Sequence, residues 1–198
     1  MSIYLARNGK MLTRLNGTRC FGDSSSPVPP VPTFDEVTIG SQTWMAKNLS
    51  VDDGQGGIYT QTVNYGKGVV VEYYYTWPAA VRVAATVQGW HLPTNAEWNT
   101  LADALGGSFI AGKKLKSSYG WYEDRNGTDK YGFCALPAGH LDMYGTNDDL
   151  YKEARFWTST LESTDVPYYR SIASNDSRLF VGKGNKIHRL SVRLIKDS

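Results

Sequence analysis

The 198-residue sequence predicts an α+β fold in which two helices precede a run of short strands. Two segments, about 78–86 and 95–105, carry apolar residues at helical spacing. From about residue 131 to the end, short apolar segments alternate with polar loops, and no window there keeps a helical stripe. Helices followed by a series of strands are typical of the α+β class.

The segment from Phe34 to Lys67 predicts one hairpin followed by a loop. Alternating apolar residues on either side of Gly40-Ser41 indicate two strands joined by a tight turn. The stretch 51–67 contains several glycines and the acidic pair Asp52-Asp53, and it is expected to form a loop. It lacks the alternating oxygen ligands of a calcium-binding loop, so a solvated turn is favoured.

A strand and the first helix follow this loop. The run 69–75 is rich in Val and Tyr and predicts a strand. Thr76 is a candidate N-cap for a helix over about 78–86, with Pro78 in its first turn.

The second helix has the clearest local signal in the chain. Thr94, followed three residues later by Glu97, forms a capping box, and a Gly-Gly pair at 106–107 supplies the left-handed positions that end a helix. We therefore predict a helix over about 95–105 in which Glu97 bonds to the backbone of Thr94. Trp90 and Trp98 are expected to be largely buried.

His91 lies beside this capping box and could be taken for a catalytic base. No Ser or Cys neighbour is placed to be activated by it. A buried, hydrogen-bonded histidine that fixes the turn is the favoured interpretation. The strands predicted after the second helix cover 133–136, 155–160, 168–172 and 190–195.

The N-terminal part has a different composition. Residues 1–22 contain two short apolar segments, each closed by an Asn-Gly pair, and predict a small β-ribbon. Residues 23–33 are rich in Ser and Pro and predict a semi-rigid linker to a main domain at 34–198. So short a ribbon cannot bury a core of its own, and we expect it to pair with another subunit, a larger assembly or the main domain's edge.

Composition excludes several classes of function. The formal net charge of +2 gives no reason to expect a nucleic-acid partner, and the basic C-terminal segment is interpreted as an ordinary solvated face. No stretch suits membrane insertion, and no signal peptide is seen. Two cysteines in unlike contexts provide neither a disulfide framework nor zinc spacing, so no metal or cofactor is expected.

Five blocks of sequence carry a resemblance to a known family, and they stand in its order at 37–49, 89–98, 131–139, 156–160 and 191–197. In these blocks the chain resembles the Fibrobacter major paralogous domain family. That family is similar to the C-type lectin fold in its formylglycine-generating-enzyme-like branch. The resemblance implies a C-type lectin-like domain with two helices and a mainly antiparallel, twisted sheet.

The same scaffold resembles the variable proteins of diversity-generating retroelements, including a tropism determinant of a phage tail. Between the blocks the chain is rich in Tyr, Asn, Asp, Ser, Thr and Arg, which is the chemistry of antibody paratopes. The resemblance implies that these segments form a hypervariable, non-catalytic binding face. The residues that we expect to contact a ligand there are His140, Leu141, Asp142, Met143, Tyr144, Asp148, Leu150, Tyr151, Leu161, Thr164, Asp165, Tyr168, Tyr169, Arg170, Asn175, Asp176, Arg178, Phe180, Asn185 and His188.

The expected partner is a protein or cell-surface receptor on a host or neighbouring cell. Such a protein would act on a phage tail in the virion, or at the cell surface and outside the cell. Assembly on a phage particle in the cytoplasm would reconcile this role with the lack of a signal peptide. The N-terminal segment would then attach the domain to the particle, and a homo-oligomer is an alternative use for it.

Three alternatives to this interpretation were weighed. The segments between the blocks could be plain polar turns of an undiversified bacterial surface or adhesive domain. A formylglycine-generating-like enzyme would need a reactive pair of cysteines near the C-terminal end, whereas Cys134 stands alone in a block that predicts a buried strand. Calcium-dependent sugar binding of the lectin type would need Glu-Pro-Asn or Gln-Pro-Asp with Trp-Asn-Asp, and neither pattern occurs.

Overall fold

The structure, a computed structural model, describes residues 33–198. The predicted ribbon at 1–22 and residues 23–32 of the predicted linker lie outside the described residues. The described elements in chain order are β1 (Glu36–Ile39), β2 (Gln42–Met45), β3 (Ile58–Asn64), β4 (Val69–Tyr75), α1 (Trp77–Ala84), β5 (Trp90–His91), α2 (Asn95–Ala104), α3 (Ser108–Leu115), a 3-10 turn (Tyr122–Asp124), β6 (Glu153–Ser163), β7 (Val166–Ala173), β8 (Phe180–Lys183) and β9 (Ile195–Lys196).

The strands form three sheets, and every pair of named strands is antiparallel. One sheet has the order β1-β2-β9-β5, so the C-terminal strand lies between the first hairpin and the strand before α2. β3 pairs with β4, and β6, β7 and β8 form the third sheet in that order. The predicted α+β class and the hairpin around Gly40 are confirmed.

The loop predicted at 51–67 is wrong for its second half, because residues 58–64 form β3. This strand has mostly polar or exposed side chains, so no apolar alternation marks it in the sequence. Its partner β4 supplies the buried side chains of this two-stranded sheet, namely Glu72, Tyr74 and Tyr75.

The two predicted helices are confirmed to within two residues at each end. In α2 the Thr94 hydroxyl accepts a hydrogen bond from the backbone N–H of Glu97, and the Glu97 carboxylate accepts one from the backbone N–H of Thr94 at 2.6 Å. The capping box is therefore complete, as predicted. Trp90 and Trp98 are both buried, also as predicted.

The number of helices was predicted wrongly, because α3 is a third one. It has eight residues and contains Gly112, which disfavours a helix in isolation. Packing explains both the glycine and the helix: a Cβ at Gly112 would lie 2.2 Å from the carbonyl oxygen of Arg178. The helix therefore exists because its backbone docks directly on the loop 177–178.

Two of the predicted C-terminal strands are also corrected. Residues 133–136 form no strand and make only a bridge between Ala135 and Lys116. Of the predicted strand 190–195, only its last residue belongs to β9, while Leu190 and Ser191 make isolated bridges to Tyr75 and Phe156. These residues connect the sheets instead of extending one, which is a property of tertiary packing and not of local sequence.

Two large apolar clusters form the core. One centres on Trp98, which lies 4.8 Å from the ring of Trp44 and 5.5 Å from that of Phe156. The other contains α1, Trp157 and the segment 190–194. The strand β6 contributes Phe156 to the first cluster and Trp157 to the second, since neighbouring residues of a strand face opposite sides.

Candidate functional site

A pocket of about 520 Å³ opens at the third sheet, on the side of β6–β8 opposite to Phe156. Its lining combines aromatic, charged and amide side chains with one glycine. The lining residues are Arg155, Trp157, Asp165, Val166, Tyr169, Lys183, Gly184, Asn185, His188 and Leu190.

The register of β6, β7 and β8 determines which residues form the floor of the pocket. Trp157 of β6 lies directly opposite Tyr169 of β7, which lies opposite Gly182 of β8. The two rings pack edge to face at 6.3 Å. A Cβ at Gly182 would lie 2.3 Å from Tyr169 Cζ, and one at Gly184 would lie 3.1 Å from the Trp157 ring. The two glycines therefore leave the space that the Tyr169 ring and the pocket occupy.

A charged network forms one wall of the pocket. Arg155 donates to Glu153 Oε2 at 2.6 Å and to Asp149 Oδ2 at 2.9 Å. Its Nη1 lies 3.1 Å from His140 Nε2, and its guanidinium stacks 5.4 Å from the centre of the Tyr169 ring. Burial and the charge of Arg155 lower the pKa of His140, so its ring is neutral at physiological pH and accepts this hydrogen bond.

The rim of the pocket carries groups that can bind a ligand. His188 and Asn185 lie on one turn, which is closed by a hydrogen bond from the backbone N–H of His188 to the carbonyl of Asn185. Asn185 is exposed, and its Oδ1 accepts from the backbone N–H of Ile187 at 3.1 Å. Asp165 is exposed beside Lys186, and Lys183 is paired with Glu162. The rim is thus polar above an apolar floor.

Four residues that were predicted from sequence meet at this pocket: Asp165, Tyr169, Asn185 and His188. His140 lies next to them, with its ring 6.0 Å from that of His188. Thr164 also lies close by, because its carbonyl accepts from Lys186, and Tyr168 lies under the Lys183 ammonium.

The turn 142–146 adjoins the His188 end of the pocket. Asp142 Oδ1 accepts hydrogen bonds from the backbone of Thr146 and Tyr144, and these bonds, together with the charge of His188, lower the pKa of Asp142. This organises a tight turn that leaves Tyr144 85% and Met143 46% exposed. Of the predicted residues, these two offer large apolar surface to solvent.

Two predicted contact residues are buried, and the structure corrects their assignment. Leu141 packs with Tyr74 and Ala138 in a small core cluster. Arg170 is 1% exposed and donates to Asn95 and Asn99 on α2. Arg170 follows Tyr169 in β7, so its side chain faces the opposite side of the sheet from the pocket. Neither residue can contact a ligand at the surface.

The remaining predicted residues are spread over other places. The loop 174–180, with Asn175, Asp176, Arg178 and Phe180, lies against α3. Tyr151 has a positive φ of 67°, and its hydroxyl donates to the carbonyl of Asn64. Asp148, Leu150 and Leu161 line neither the pocket at β6–β8 nor the recess beside α3. The predicted face is therefore not one continuous patch.

The sequence interpretation missed several of the residues that line the pocket. Arg155, Trp157, Lys183, Gly184 and Leu190 line it without having been predicted as contacts. Arg155 and Trp157 lie in or beside a predicted strand, and their alternation with the core residue Phe156 is a signal that could have assigned them to one face.

The predicted turn histidine is held by two carboxylates. His91 Nε2 lies 2.8 Å from Glu97 Oε1, and Nδ1 lies 2.6 Å from Asp197 Oδ1. The ring is half-buried, less than was expected. Burial lowers the pKa of His91, but the hydrogen bonds to Glu97 and Asp197 and their charges outweigh it and raise that pKa overall. His91 lines neither of the two described pockets. Its two hydrogen bonds connect Asp197, near the C-terminus, to Glu97 in the first turn of α2.

This contact predicts a pH dependence of stability. Because the folded pKa of His91 lies above its unfolded value of about 6.5, the stabilisation is complete below that value and is lost as the pH rises through the folded pKa. We expect the difference in urea midpoint between the wild type and His91→Gln to be larger at about pH 5.5 than at about pH 8.5. An equal difference at both pH values would show that folding does not raise the pKa of His91.

The prediction that Cys134 lies in a buried strand is wrong. The residue lies in an irregular segment, and its backbone φ is 48°. Its backbone N–H donates to Asp129 Oδ1 at 2.7 Å, and its Sγ lies 3.8 Å from the hydroxyl of Tyr119. Burial raises the pKa of the thiol, which disfavours the reactive thiolate.

Within residues 33–198, no three His, Cys, Asp or Glu side chains are grouped so that they could hold a metal ion. In that same part of the chain, none of the helices has the length and apolar character needed to cross a membrane.

The model of the Fibrobacter succinogenes major domain family matches residues 37–196. No protein with a curated description and no solved structure matches the chain. The family match covers both core clusters, all three sheets except the first residue of β1, and the pocket. The chain therefore belongs to the Fibrobacter succinogenes major domain family.

Proposed function

We propose that this domain is a non-catalytic ligand- or receptor-binding protein on a C-type lectin-like scaffold, and that it binds at the pocket. The observation that carries the proposal is the convergence of Asp165, Tyr169, Asn185 and His188 over an apolar floor. Ligand sites are typically concave and largely apolar, with a few polar groups that orient the ligand. The exposed turn at 143–144 extends this surface beside His188.

The exposed part of this surface is proposed to be diversified by a retroelement. Tyr144 and the rim residues lie on turns whose backbones are fixed by their own hydrogen bonds, so side chains there can change without moving the scaffold. The proposed partner is a protein or cell-surface receptor on a host or neighbouring cell. A phage tail or a cell surface is the proposed location, with the segment 1–33 as the attachment or oligomerisation device.

Two observations support a non-catalytic role. Both ring nitrogens of His91 are taken by Glu97 and Asp197, so the ring has no free nitrogen to act on a substrate. Burial raises the pKa of the Cys134 thiol, and the hydroxyl of Tyr119 lies 3.8 Å from its sulfur. Neither residue lines the pocket.

A second candidate function is an undiversified adhesive domain of a bacterial surface. It is favoured by the burial of Leu141 and Arg170, and by the Arg155 network with Glu153 and Asp149. These residues lie in or next to the proposed variable segments, yet their contacts leave them little freedom to vary. This function would use the same pocket with constant residues.

Binding can be tested with labelled protein on a panel of intact bacterial strains. We expect the combined replacements Tyr144→Ala, Asn185→Ala and His188→Ala to lower binding to a responsive strain by about tenfold or more, because hot-spot residues each contribute about 1–2 kcal/mol. The free energy of unfolding should change by less than about 1 kcal/mol, since these side chains lie at the surface.

Tyr122→Ala provides the matched control, because Tyr122 is also an exposed tyrosine but lies in the 3-10 turn and outside the pocket. It should bind like the wild type. Equal binding by the triple variant, or an equal loss in the control, would contradict a binding role for the pocket.

A further inference from the structure

A second recess, of about 410 Å³, lies between α3 and the loop 128–130. We call it the lysine groove. Its lining contains three ammonium groups, two hydroxyls and one branched apolar side chain. The lining residues are Ile110, Lys113, Lys114, Thr128, Lys130 and Ser177.

One wall of the lysine groove is fixed to α3 through the loop 174–178. The backbone N–H of Lys113 donates to the carbonyl of Ser177 at 3.1 Å, and Gly112 allows the loop to touch the helix backbone. Lys116, at the end of the helix, donates from its ammonium to three carbonyls of the same loop region. This wall is therefore rigid.

The opposite wall is also fixed by main-chain hydrogen bonds. The backbone N–H of Thr128 donates to the carbonyl of Lys113 at 3.0 Å, and that of Lys130 donates to the carbonyl of Lys114 at 3.2 Å. A recess whose two walls are pinned to one helix has its shape before a partner arrives, which lowers the entropic cost of binding.

The positive charge of the lysine groove is not neutralised by the fold. Among residues 33–198, no carboxylate lies within 4 Å of the ammonium groups of Lys113, Lys114 or Lys130. The two nearby acids are engaged elsewhere: Asp129 accepts from the backbone of Cys134, and Asp176 from Arg178. Within this part of the chain, the groove thus presents positive charge that has no carboxylate partner, although the Lys114 ammonium donates to the carbonyl of Leu105.

Apolar surface adjoins this charge. Ile110 is 42% exposed, and the preceding residue on α3, Phe109, is 74% exposed. Ile110 therefore offers apolar contact surface inside the recess, beside the ammonium groups. The formal net charge of only +2 provides no strong long-range attraction for a nucleic acid, which favours a protein partner.

We propose that the lysine groove docks an acidic segment of a protein partner, with carboxylates facing the ammonium groups and an apolar side chain against Ile110. This surface is separate from the pocket at β6–β8, and it does not depend on the function proposed for that pocket. The two surfaces share no lining residue.

The probe for this docking is a fluorescein-labelled peptide of repeated Glu-Glu-Leu, measured by fluorescence anisotropy against the full chain. The test variant combines Lys113→Gln with Lys130→Gln. Lys114 is left unchanged because its ammonium caps α2 by donating to the carbonyl of Leu105 at 2.6 Å. The control combines Lys67→Gln with Lys152→Gln, which removes the same charge from lysines outside the groove that also lack carboxylate partners among residues 33–198.

We expect the test variant to raise the Kd of the peptide by about tenfold and the control by less than about twofold, since two well-placed ion pairs contribute about 1–2 kcal/mol. Ile110→Asp should weaken binding similarly. A Gln-Gln-Leu peptide should not bind. Equal losses in test and control variants, no binding of the acidic peptide to the wild type, or tighter binding of an oligothymidylate of equal charge would overturn the proposal.

Discussion

Replacing Arg193 with Met is expected to lower the free energy of unfolding by about 3–5 kcal/mol. Arg193 is 1% exposed, and burial lowers its pKa to about 10, so it remains charged at neutral pH. It donates to the carbonyls of Met45 and Phe133 and to Asn48, and Asn48 in turn donates to the buried Glu72. Removing the guanidinium leaves these acceptors without their donor, and it also removes the positive charge that favours the ionised form of Glu72, whose carboxylate accepts hydrogen bonds from Asn48 and Tyr65. Urea unfolding followed by tryptophan fluorescence measures the loss.

Two comparisons make this expectation specific. Arg178→Met removes an exposed arginine and should change the free energy of unfolding by less than about 0.5 kcal/mol. Adding Glu72→Gln to Arg193→Met should recover part of the loss, because burial raises the pKa of Glu72 and disfavours its charged form, and a neutral amide does not need the positive charge of Arg193 nearby. A loss below about 1 kcal/mol for Arg193→Met would contradict the role given to this buried network.

Replacing Lys116 with Met is the second change from which we expect a large effect, about 2–4 kcal/mol of unfolding free energy. Lys116 is 4% exposed, and its ammonium lies 5.0 Å from the Trp121 ring. Burial lowers its pKa, yet the group is satisfied by carbonyl oxygens from two loops. Its three N–H donors are shared among the carbonyl oxygens of Arg125, Ala173, Ser174 and Asp176, which lie 3.0–3.2 Å from the Nζ atom.

The effect of Lys116→Met should be visible locally as well as globally. Hydrogen exchange of the backbone amides at 173–178 should become faster than in the wild type, because the ammonium ties this loop to the end of α3. Lys113→Met, three residues earlier on the same helix and exposed, should leave both exchange and stability nearly unchanged. Unchanged exchange at 173–178 in Lys116→Met would show that the loop is held by other contacts.

The elements that could be predicted from sequence are those with local signals. The capping box at Thr94 and Glu97 and the stripe that follows are complete within a dozen residues, so α2 was predicted with accurate bounds. β3 and α3 carry no such signal. β3 exposes polar side chains, and α3 contains a glycine, Gly112, that is needed only because the distant loop 177–178 packs against the helix backbone there. Both are stabilised by tertiary contacts that local propensity does not encode.

The candidate site was predicted in part for the same reason. The rim residues Asn185 and His188 could be predicted because they lie in a segment whose composition is typical of binding loops, and composition is visible in the sequence. The sequence could not separate Tyr169 from Arg170, since only the register of β6, β7 and β8 decides which of two adjacent residues faces the pocket. The spread of the remaining residues over the loop beside α3 and the 142–151 region likewise follows from tertiary packing.

The proposed variable binding face is tested most directly by sequencing this gene and its flanks in many related strains or phages. We expect substitutions to concentrate at exposed residues such as Tyr144, Asp165, Asn185 and His188, while the buried Arg170 stays constant. A reverse-transcriptase gene and a near-copy of the 3′ end that differs at adenines should lie nearby. A constant pocket rim with neither of these neighbours would contradict diversification and leave the adhesive domain as the account of this surface.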